Sequence, residues 1–351
     1  MRVVSVVGAR PQFVKLGPIA AAMKDAGVDH RIIHTGQHYD RNMSSSFFAD
    51  LRISEPDVHL GIGSGGHGQQ TGRMLEALDP VLSDLEPDWV LVYGDTNSTI
   101  AAALSAVKLH LKVAHLEAGL RSFNKLMPEE HNRVLTDHAS DLCLSPTEFA
   151  MRNLSREGLH DRSILVGDVM TDVCLKTLDK LQSIGVASPL EEDYILATLH
   201  RAENTDDAAR LRSIVHSLQS LPSKVLLAVH PRLRSRALEF GIDLESENIE
   251  LREPMPYMEL INAAFHAQAI VTDSGGLQKE AFLVRTPCVT VRTETEWIET
   301  VELGWNVLSS DPDNIAREIN GLDPRVTNAT PYGDGTAAFN TVRALSSRSR
   351  G

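Results

Sequence analysis

Residues 115–133, HLEAGLRSFNKLMPEEHNR, crowd Glu117, Arg121, Glu129, Glu130 and Arg133 into the stretch that follows an apolar run. Carboxylates at the end of a buried strand can move protons, and arginines there can hold an anion. A local account covers part of the pattern. Pro128-Glu129-Glu130 reads as a helix start, with Pro early and acids in the first turn, and Glu129 and Arg133, four apart, can pair on that helix. It leaves Glu117 and Arg121 unexplained.

Four more loops carry polar groups of this kind. Gly8-Ala9-Arg10-Pro11-Gln12, with Lys15 beyond it, offers close backbone approach and two cations to an anion, or simply a turn and two solvated charges. Gly94-Asp95-Thr96-Asn97-Ser98 precedes an Ala-rich helix that either Asp95 or Thr96 can cap; an additional role for Asp95 rests on its place at a strand end. Thr198-Leu199-His200-Arg201-Ala202-Glu203 puts a histidine, which titrates near neutrality, beside an Arg and a Glu, and His230-Pro231-Arg232 repeats the arrangement one strand later. Asp273-Ser274-Gly275-Gly276, followed by Glu280, combines a capping serine with two glycine N–H groups at a helix start, a cradle for phosphate that is neither a P-loop nor a dinucleotide fingerprint.

The elements that position these loops are β-type runs alternating with helical segments. Strands are expected at 3–7, 31–33, 89–93, 112–116 and 141–144, then again at 194–198, 225–229, 248–251, 269–272 and 288–291, with helices such as 98–109 and 206–219 between them. The pattern predicts an α/β protein with two doubly wound parallel sheets. One domain is expected over 1–180 and carries the acid/base carboxylates. The other, over 194–330, binds the ligand. The stretch 331–351 is expected as a C-terminal helix and frayed tail packing back on the first domain, and the Gly-, Ser-, Pro- and acid-containing stretch 180–193 as the linker. Ligands of open α/β sheets bind at the carboxyl ends of strands, so two such domains imply a cleft lined by these loops.

The bulk properties narrow the partners. A chain of 351 residues with a formal charge of −13 is a poor binder of nucleic-acid backbone, while a small anion needs only a local cluster of donors. The three cysteines, Cys143, Cys174 and Cys288, match no zinc or redox spacing. His34 and His38 are separated by Gly36, and His131 and His138 lack a third ligand, so no metal is expected. With no apolar run of about 18 residues and no signal-type apolar region, a cytoplasmic protein without membrane spans is expected.

The ordered set of loops resembles the non-hydrolysing UDP-N-acetylglucosamine 2-epimerase family. The resemblance rests on Gly8-Ala9-Arg10-Pro11, Gly36-Gln37-His38, Gly94-Asp95-Thr96, 115–121, 128–133, Thr198-Leu199-His200-Arg201, Asp273-Ser274-Gly275-Gly276 and Pro331-Tyr332-Gly333-Asp334-Gly335. It implies a GT-B fold, a UDP-sugar substrate, no cofactor and a homodimer. The implied reaction inverts C2 of an N-acetylhexosamine by eliminating UDP to a 2-acetamidoglucal and adding it back. It implies Asp95, Glu117, Glu129 and His200 as acid/base candidates, without deciding which takes the proton. It also implies that Arg10, Lys15, Arg133, His230, Ser274, Gly275 and Gly276 bind the diphosphate end and Glu280 the ribose. Bacterial members with a second, activating UDP-sugar extend the resemblance to Gln37, Arg73 and Arg201, with His230. Two departures are visible: Gln12 stands where many members have Glu, and Trp297 where some carry Arg. The run Thr35-Gly36-Gln37-His38-Tyr39-Asp40 is similar to a branch acting on diacetamido uronic acid sugars. A hydrolysing 2-epimerase and a GT-B glycosyltransferase are the alternative enzymes, and a non-catalytic nucleotide-sugar sensor the alternative outside catalysis.

Overall fold

The computed structural model describes residues 1–37, 53–322, 324 and 326–349, with Arg10 described by its backbone alone. The expectations for the Arg10 side chain and for His38, Tyr39 and Asp40 therefore lie outside the described residues. The chain divides into two compact units, 1–173 with 330–351, and 174–329. Each is built on one all-parallel sheet.

In the first unit, β1 (Arg2–Val7), β2 (Asp29–His34), β3 (Val58–His59), β4 (Trp89–Tyr93), β5 (Val113–Leu116), β6 (Leu142–Ser145) and β7 (Ser163–Leu165) lie in the order β3-β2-β1-β4-β5-β6-β7. The helices between them are α1 (Arg10–Asp25), α2 (His67–Leu85), α3 (Asn97–Lys108), α4 (Pro128–Ala139) and α5 (Glu148–Arg156), followed by α6 (Val169–Ile184). All five residues of β4 are buried, as a strand covered on both faces requires. Val3, Val7, Leu91 and Tyr93 turn to one core, whereas Val4, Val6, Val90 and Val92 turn to the other, so the period of two sorts one sheet into two hydrophobic layers.

The second unit repeats the plan. Its strands β8 (Tyr194–Leu199), β9 (Lys224–Val229), β10 (Ile249–Arg252), β11 (Ala269–Thr272), β12 (Cys288–Thr290) and β13 (Asn306–Leu308) run in the order β10-β9-β8-β11-β12-β13. They alternate with α7 (Ala202–Thr205), α8 (Ala208–Gln219), α9 (Pro231–Glu239), α10 (Tyr257–His266), α11 (Gly275–Leu283), α12 (Ile298–Glu302) and α13 (Ile315–Asn320). The three strands not expected from sequence are β3, β7 and β13, of only two or three residues each. Such short runs carry too few alternations to register as a period.

The linker expected at 180–193 is a helix as far as Ile184, and the division falls at Val173/Cys174, inside α6. Helical periodicity hides such a boundary, because one continuous helix serves two cores. Val169 packs in the core of the first unit, and Cys174 and Leu181 pack with Tyr194 and Leu196 of the second. The last helix, α14 (Ala337–Arg348), belongs to the first unit. Asp172 accepts from the backbone N–H groups of Ala337 (3.0 Å) and Ala338 (2.8 Å), satisfying donors at its first turn. Val342 and Leu345 enter the same core as Phe13 and Leu16. Among the described residues no helix is long and apolar enough to cross a membrane.

Both sheets reverse direction in strand order at one place, between β1 and β4 in the first unit and between β8 and β11 in the second. The crevice outside such a switch point is where open α/β sheets bind ligands. Gly8 and Asp95 follow the two strands of the first switch point; His200 and Asp273 follow the two of the second.

Candidate functional site

In the first unit the polar groups gather on Gly94. This residue takes a φ of +61°, open to glycine at little cost, and a Cβ there would lie 3.0 Å from Glu117 Oε2 and 3.5 Å from Lys15 Nζ. Lys15 and Glu117 form a salt bridge, with side chains 14% and 8% exposed. Burial works against the Lys15 charge, but Glu117 first, then Asp95 and Asp168, hold its pKa above the ordinary lysine value. Asp95 pairs with Arg133 at 2.6 Å, and its backbone carbonyl accepts from Asn132 at 2.8 Å. Thr96, not Asp95, caps α3: its hydroxyl accepts from the Thr99 N–H. The Asp95 carboxylate is thereby left to the site. Each of these two acids comes with its own cation.

Arg133 corrects one expectation. A further contact is with Glu130, 3.1 Å away and three residues back, and the Glu129 side chain makes no hydrogen bond or ion pair among the described residues. The reason lies in the turn before α4. Glu130 accepts from the N–H groups of Ser122 and Phe123, both at 2.9 Å, and from the Ser122 hydroxyl. Burial opposes its ionisation, yet those donors hold its pKa below the usual carboxylate value. Glu130 is thus committed to the loop, which leaves Glu129, half-buried, as the unengaged carboxylate of α4.

Arg121 is likewise committed inside the unit. It makes a two-pronged pair with Glu157 (2.8 and 2.7 Å) and contacts Asp137 at 2.7 Å. Fully buried Asp137 also meets His115 Nδ1 at 2.6 Å and accepts from Gly119 N–H at 3.0 Å. The other ring nitrogen of His115 donates to the Gly94 carbonyl at 2.7 Å. Burial pushes against the Asp137 charge, and His115 and Arg121 overcome it to hold its pKa low. This network grips the Gly94 carbonyl before Asp95 and the Gly119 amide just after Glu117, so it sets the spacing of the two candidate acids. Glu117 itself sits at a φ of +71°, a left-handed conformation that costs a non-glycine residue energy and persists only where its surroundings impose it. Sequence reasoning passed over His115 and Asp137, since a lone His in a strand gives no sign of a partner 22 residues away.

Gln12 explains its departure from the family pattern. Its carbonyl oxygen accepts from the N–H groups of Gly8 (2.8 Å) and Ala9 (3.0 Å), and its NH₂ donates to the Tyr93 carbonyl (2.8 Å) and Thr99 hydroxyl (3.1 Å). An amide is both donor and acceptor, which an ionised Glu is not. Gln37 Oε1 accepts from Ser98 N–H and hydroxyl, while Arg73 is exposed and donates to the Ser64 carbonyl.

In the second unit, Ser274 caps α11 by accepting from Leu277 N–H, and Gly275 and Gly276 occupy the first two helical positions. N–H groups at such positions have no partner within the helix. Arg201 Nε donates to the Asp273 carbonyl at 2.8 Å. A Cβ on Gly275 would sit 3.7 Å from the Arg201 guanidinium and 3.9 Å from that of Arg292. Arg292 is buried and paired with Glu296 at 3.0 Å, a placement that a single arginine after a short apolar run does not signal in the sequence. Trp297 instead faces the Lys279 ammonium, 4.0 Å from its ring centre. Glu280 is buried beside Tyr257, whose phenol is pushed well up by burial and by Glu280. His200 finds its partner in Asp273 at 3.0 Å, rather than in the neighbouring Arg201 or Glu203, and its ring lies 5.5 Å from that of His230. Among the described residues no cluster of three His, Cys, Asp or Glu is arranged to hold a metal.

The chain is similar to proteins of known activity. The profile of the UDP-N-acetylglucosamine 2-epimerase family matches residues 20–346. A UDP-2,3-diacetamido-2,3-dideoxy-D-glucuronate 2-epimerase from Pseudomonas aeruginosa is 48% identical over 88% of each chain. The crystal structure of the Methanocaldococcus jannaschii UDP-GlcNAc 2-epimerase, in complex with UDP-GlcNAc and UDP, superposes with a TM-score of 0.86 at 40% identity, covering 99% of this chain and 100% of that one. The glycosyltransferase VinC, in complex with dTDP, shares the fold at a TM-score of 0.57 and 14% identity, with both chains fully covered.

Proposed function

Because this chain belongs to the UDP-N-acetylglucosamine 2-epimerase family, we propose that it interconverts the C2 epimers of a UDP-N-acetylhexosamine, UDP-N-acetylglucosamine and UDP-N-acetylmannosamine. The observation that carries the reading is the gathering of Glu117, Lys15 and Asp95 around Gly94 at the switch point of the first sheet. The C2 hydrogen beside an acetamido group is a very weak acid, so its removal needs a carboxylate held in place. As the proton leaves C2, the C1–O bond breaks and UDP departs, leaving a 2-acetamidoglucal. Re-addition of UDP to C1, with a proton delivered to the other face of C2, completes the inversion. Glu117, Asp95, Glu129 and His200 are the groups proposed to exchange these protons.

The second unit holds the leaving group. Gly275 and Gly276 N–H groups, Arg201, Arg292 and His230 are the proposed donors to a diphosphate, and Glu280 to the ribose hydroxyls an acceptor. Lys15, Arg133 and Arg10 are the further cations proposed to bind the diphosphate end. Gly275 gives a clean test. Alanine fits, since its Cβ meets neighbours at ordinary contact distances of 3.7 to 3.9 Å. Valine crowds Arg201 and Arg292. Titration calorimetry with UDP is expected to show near-native affinity for Gly275→Ala and a loss of about tenfold or more, roughly 1.4 kcal/mol, for Gly275→Val. Equal affinities would remove the cradle from this account.

The decisive experiment is incubation with UDP-N-acetylglucosamine in heavy water, followed by NMR. Deuterium entering C2 of an intact UDP-sugar mixture is the expected result. Free N-acetylmannosamine plus UDP would indicate the hydrolysing reaction, and no exchange a transferase or a sensor. A second substrate is favoured by the 48% identity to the diacetamido-glucuronate enzyme. The same assay with UDP-2,3-diacetamido-2,3-dideoxy-D-glucuronate ranks the two by kcat/KM. The reading includes a cytoplasmic homodimer, and sedimentation of the purified chain tests the dimer. It also keeps Gln37, Arg73, Arg201 and His230 as an activating UDP-sugar site, which sigmoidal dependence of rate on substrate would support.

A further inference from the structure

His200 and His230 directly follow adjacent strands, β8 and β9, and their rings lie 5.5 Å apart at an angle of 42°. Each has one ring nitrogen already engaged, and the two engagements are of opposite sense.

For His200 the partner is Asp273, which has no exposed surface. The Asp273 carboxylate accepts from the N–H groups of His200 (3.1 Å to each oxygen) and Arg201 (2.9 Å), and from the Asn204 side chain at 3.0 Å. His200 Nδ1 lies 3.0 Å from the same carboxylate. A carboxylate surrounded by donors is ionised and can only accept. Burial opposes its charge, but His200 and the other donors hold its pKa below the ordinary value. The hydrogen between it and the ring is therefore the ring's own, on Nδ1. In the neutral imidazole Nε2 is then bare.

For His230 the partner is a backbone donor. His230 is the residue before α9, and its Nδ1 accepts from the Arg232 N–H at 3.2 Å. A nitrogen that accepts carries no hydrogen, so the neutral ring bears its proton on Nε2. Burial first, then His200, lowers the pKa of His230 and favours this neutral form.

We propose that Asp273 and the first turn of α9 lock His200 and His230 in opposite tautomers, so that one imidazole offers a bare Nε2 and the other an Nε2–H. His200 is then ready to take a proton without losing one first. His230 is a hydrogen-bond donor suited to an oxygen of a diphosphate. Asp273 touches no reacting atom in this scheme; it is a positioning residue, as the orienting acid is in other His-dependent enzymes. The catalytic use of the pair rests on the epimerase reading, whereas the tautomers do not.

The test is long-range ¹H–¹⁵N correlation on the full-length chain labelled at histidine, at a pH where both rings are neutral, with His200→Gln and His230→Gln supplying the assignments. The expected spectrum shows a pyrrole-type Nδ1 and pyridine-type Nε2 for His200 and the reverse for His230. The same tautomer in both rings overturns the proposal. Asp273→Asn is expected to move His200 toward the Nε2–H form and to lower kcat by about a hundredfold or more, with UDP affinity within about twofold. An Asp273→Asn protein with the native His200 tautomer and native kcat also overturns it. If that variant does not fold, the wild-type spectrum alone decides. Wild-type protein that shows the opposed tautomers but exchanges no deuterium at C2 leaves this inference standing and removes the epimerase.

Discussion

Glu117→Gln is expected to bind UDP within about twofold of the native affinity and to lose roughly two to four orders of magnitude in C2 exchange, the range for removal of a general acid or base. Glutamine matches the shape of glutamate and its carbonyl oxygen can still accept from Lys15, so the loop around Gly94 has no reason to move. What disappears is the basic oxygen. UDP affinity is spared because the substitution leaves every proposed diphosphate donor in place: Gly275 and Gly276 are untouched, and Lys15 keeps an oxygen acceptor at position 117. The measurement is deuterium incorporation at C2 with a parallel UDP titration. Exchange at the native rate would strike Glu117 from the acid/base set and move the role to Asp95, Glu129 or His200.

Asp137→Ala should be among the most destabilising single changes in the first unit, by about 3–5 kcal/mol, the cost of removing one partner from a buried ion pair. The substitution strips His115 Nδ1 and the Gly119 amide of their acceptor and leaves Arg121 with Glu157 as its one carboxylate partner among the described residues. Hydrogen exchange at the amides of β5 and β6, which flank this network, reports it directly, and protection equal to the native chain's would contradict the account. The effect depends on pH in a stated direction. The folded-state pKa of Asp137 is depressed. Its stabilisation is therefore fully present above the unfolded aspartate value of about 3.9 and is lost as the pH falls through the lower folded value. The gap between native and variant stability should narrow in acid and hold at neutral pH.

The two tests separate what the residues of 115–133 do. From sequence they formed one charged stretch. In the fold, Arg121 and Glu130 tie loops together, Arg133 divides itself between Asp95 and Glu130, and Glu117 and Glu129 remain for chemistry. A salt bridge four residues apart on a helix was the natural expectation for Glu129 and Arg133. The turn at Ser122 and Phe123 draws in Glu130 instead, and a turn's demand for an acceptor is invisible to helical spacing.

By itself the sequence determined the alternation of strand and helix, and with it two parallel sheets, because burial on both faces writes an apolar run into each central strand. It also determined which loops carry polar groups, since Asp95, Glu117, His200 and Ser274 all follow such runs. Only the tertiary structure decided the partners. Asp137 reaches His115 across 22 residues and Asp273 reaches His200 across 73, distances over which no periodicity extends. Strand order and helix packing bring those groups within hydrogen-bonding range, and burial makes each pairing obligatory, because an ionised side chain taken out of water must find a partner.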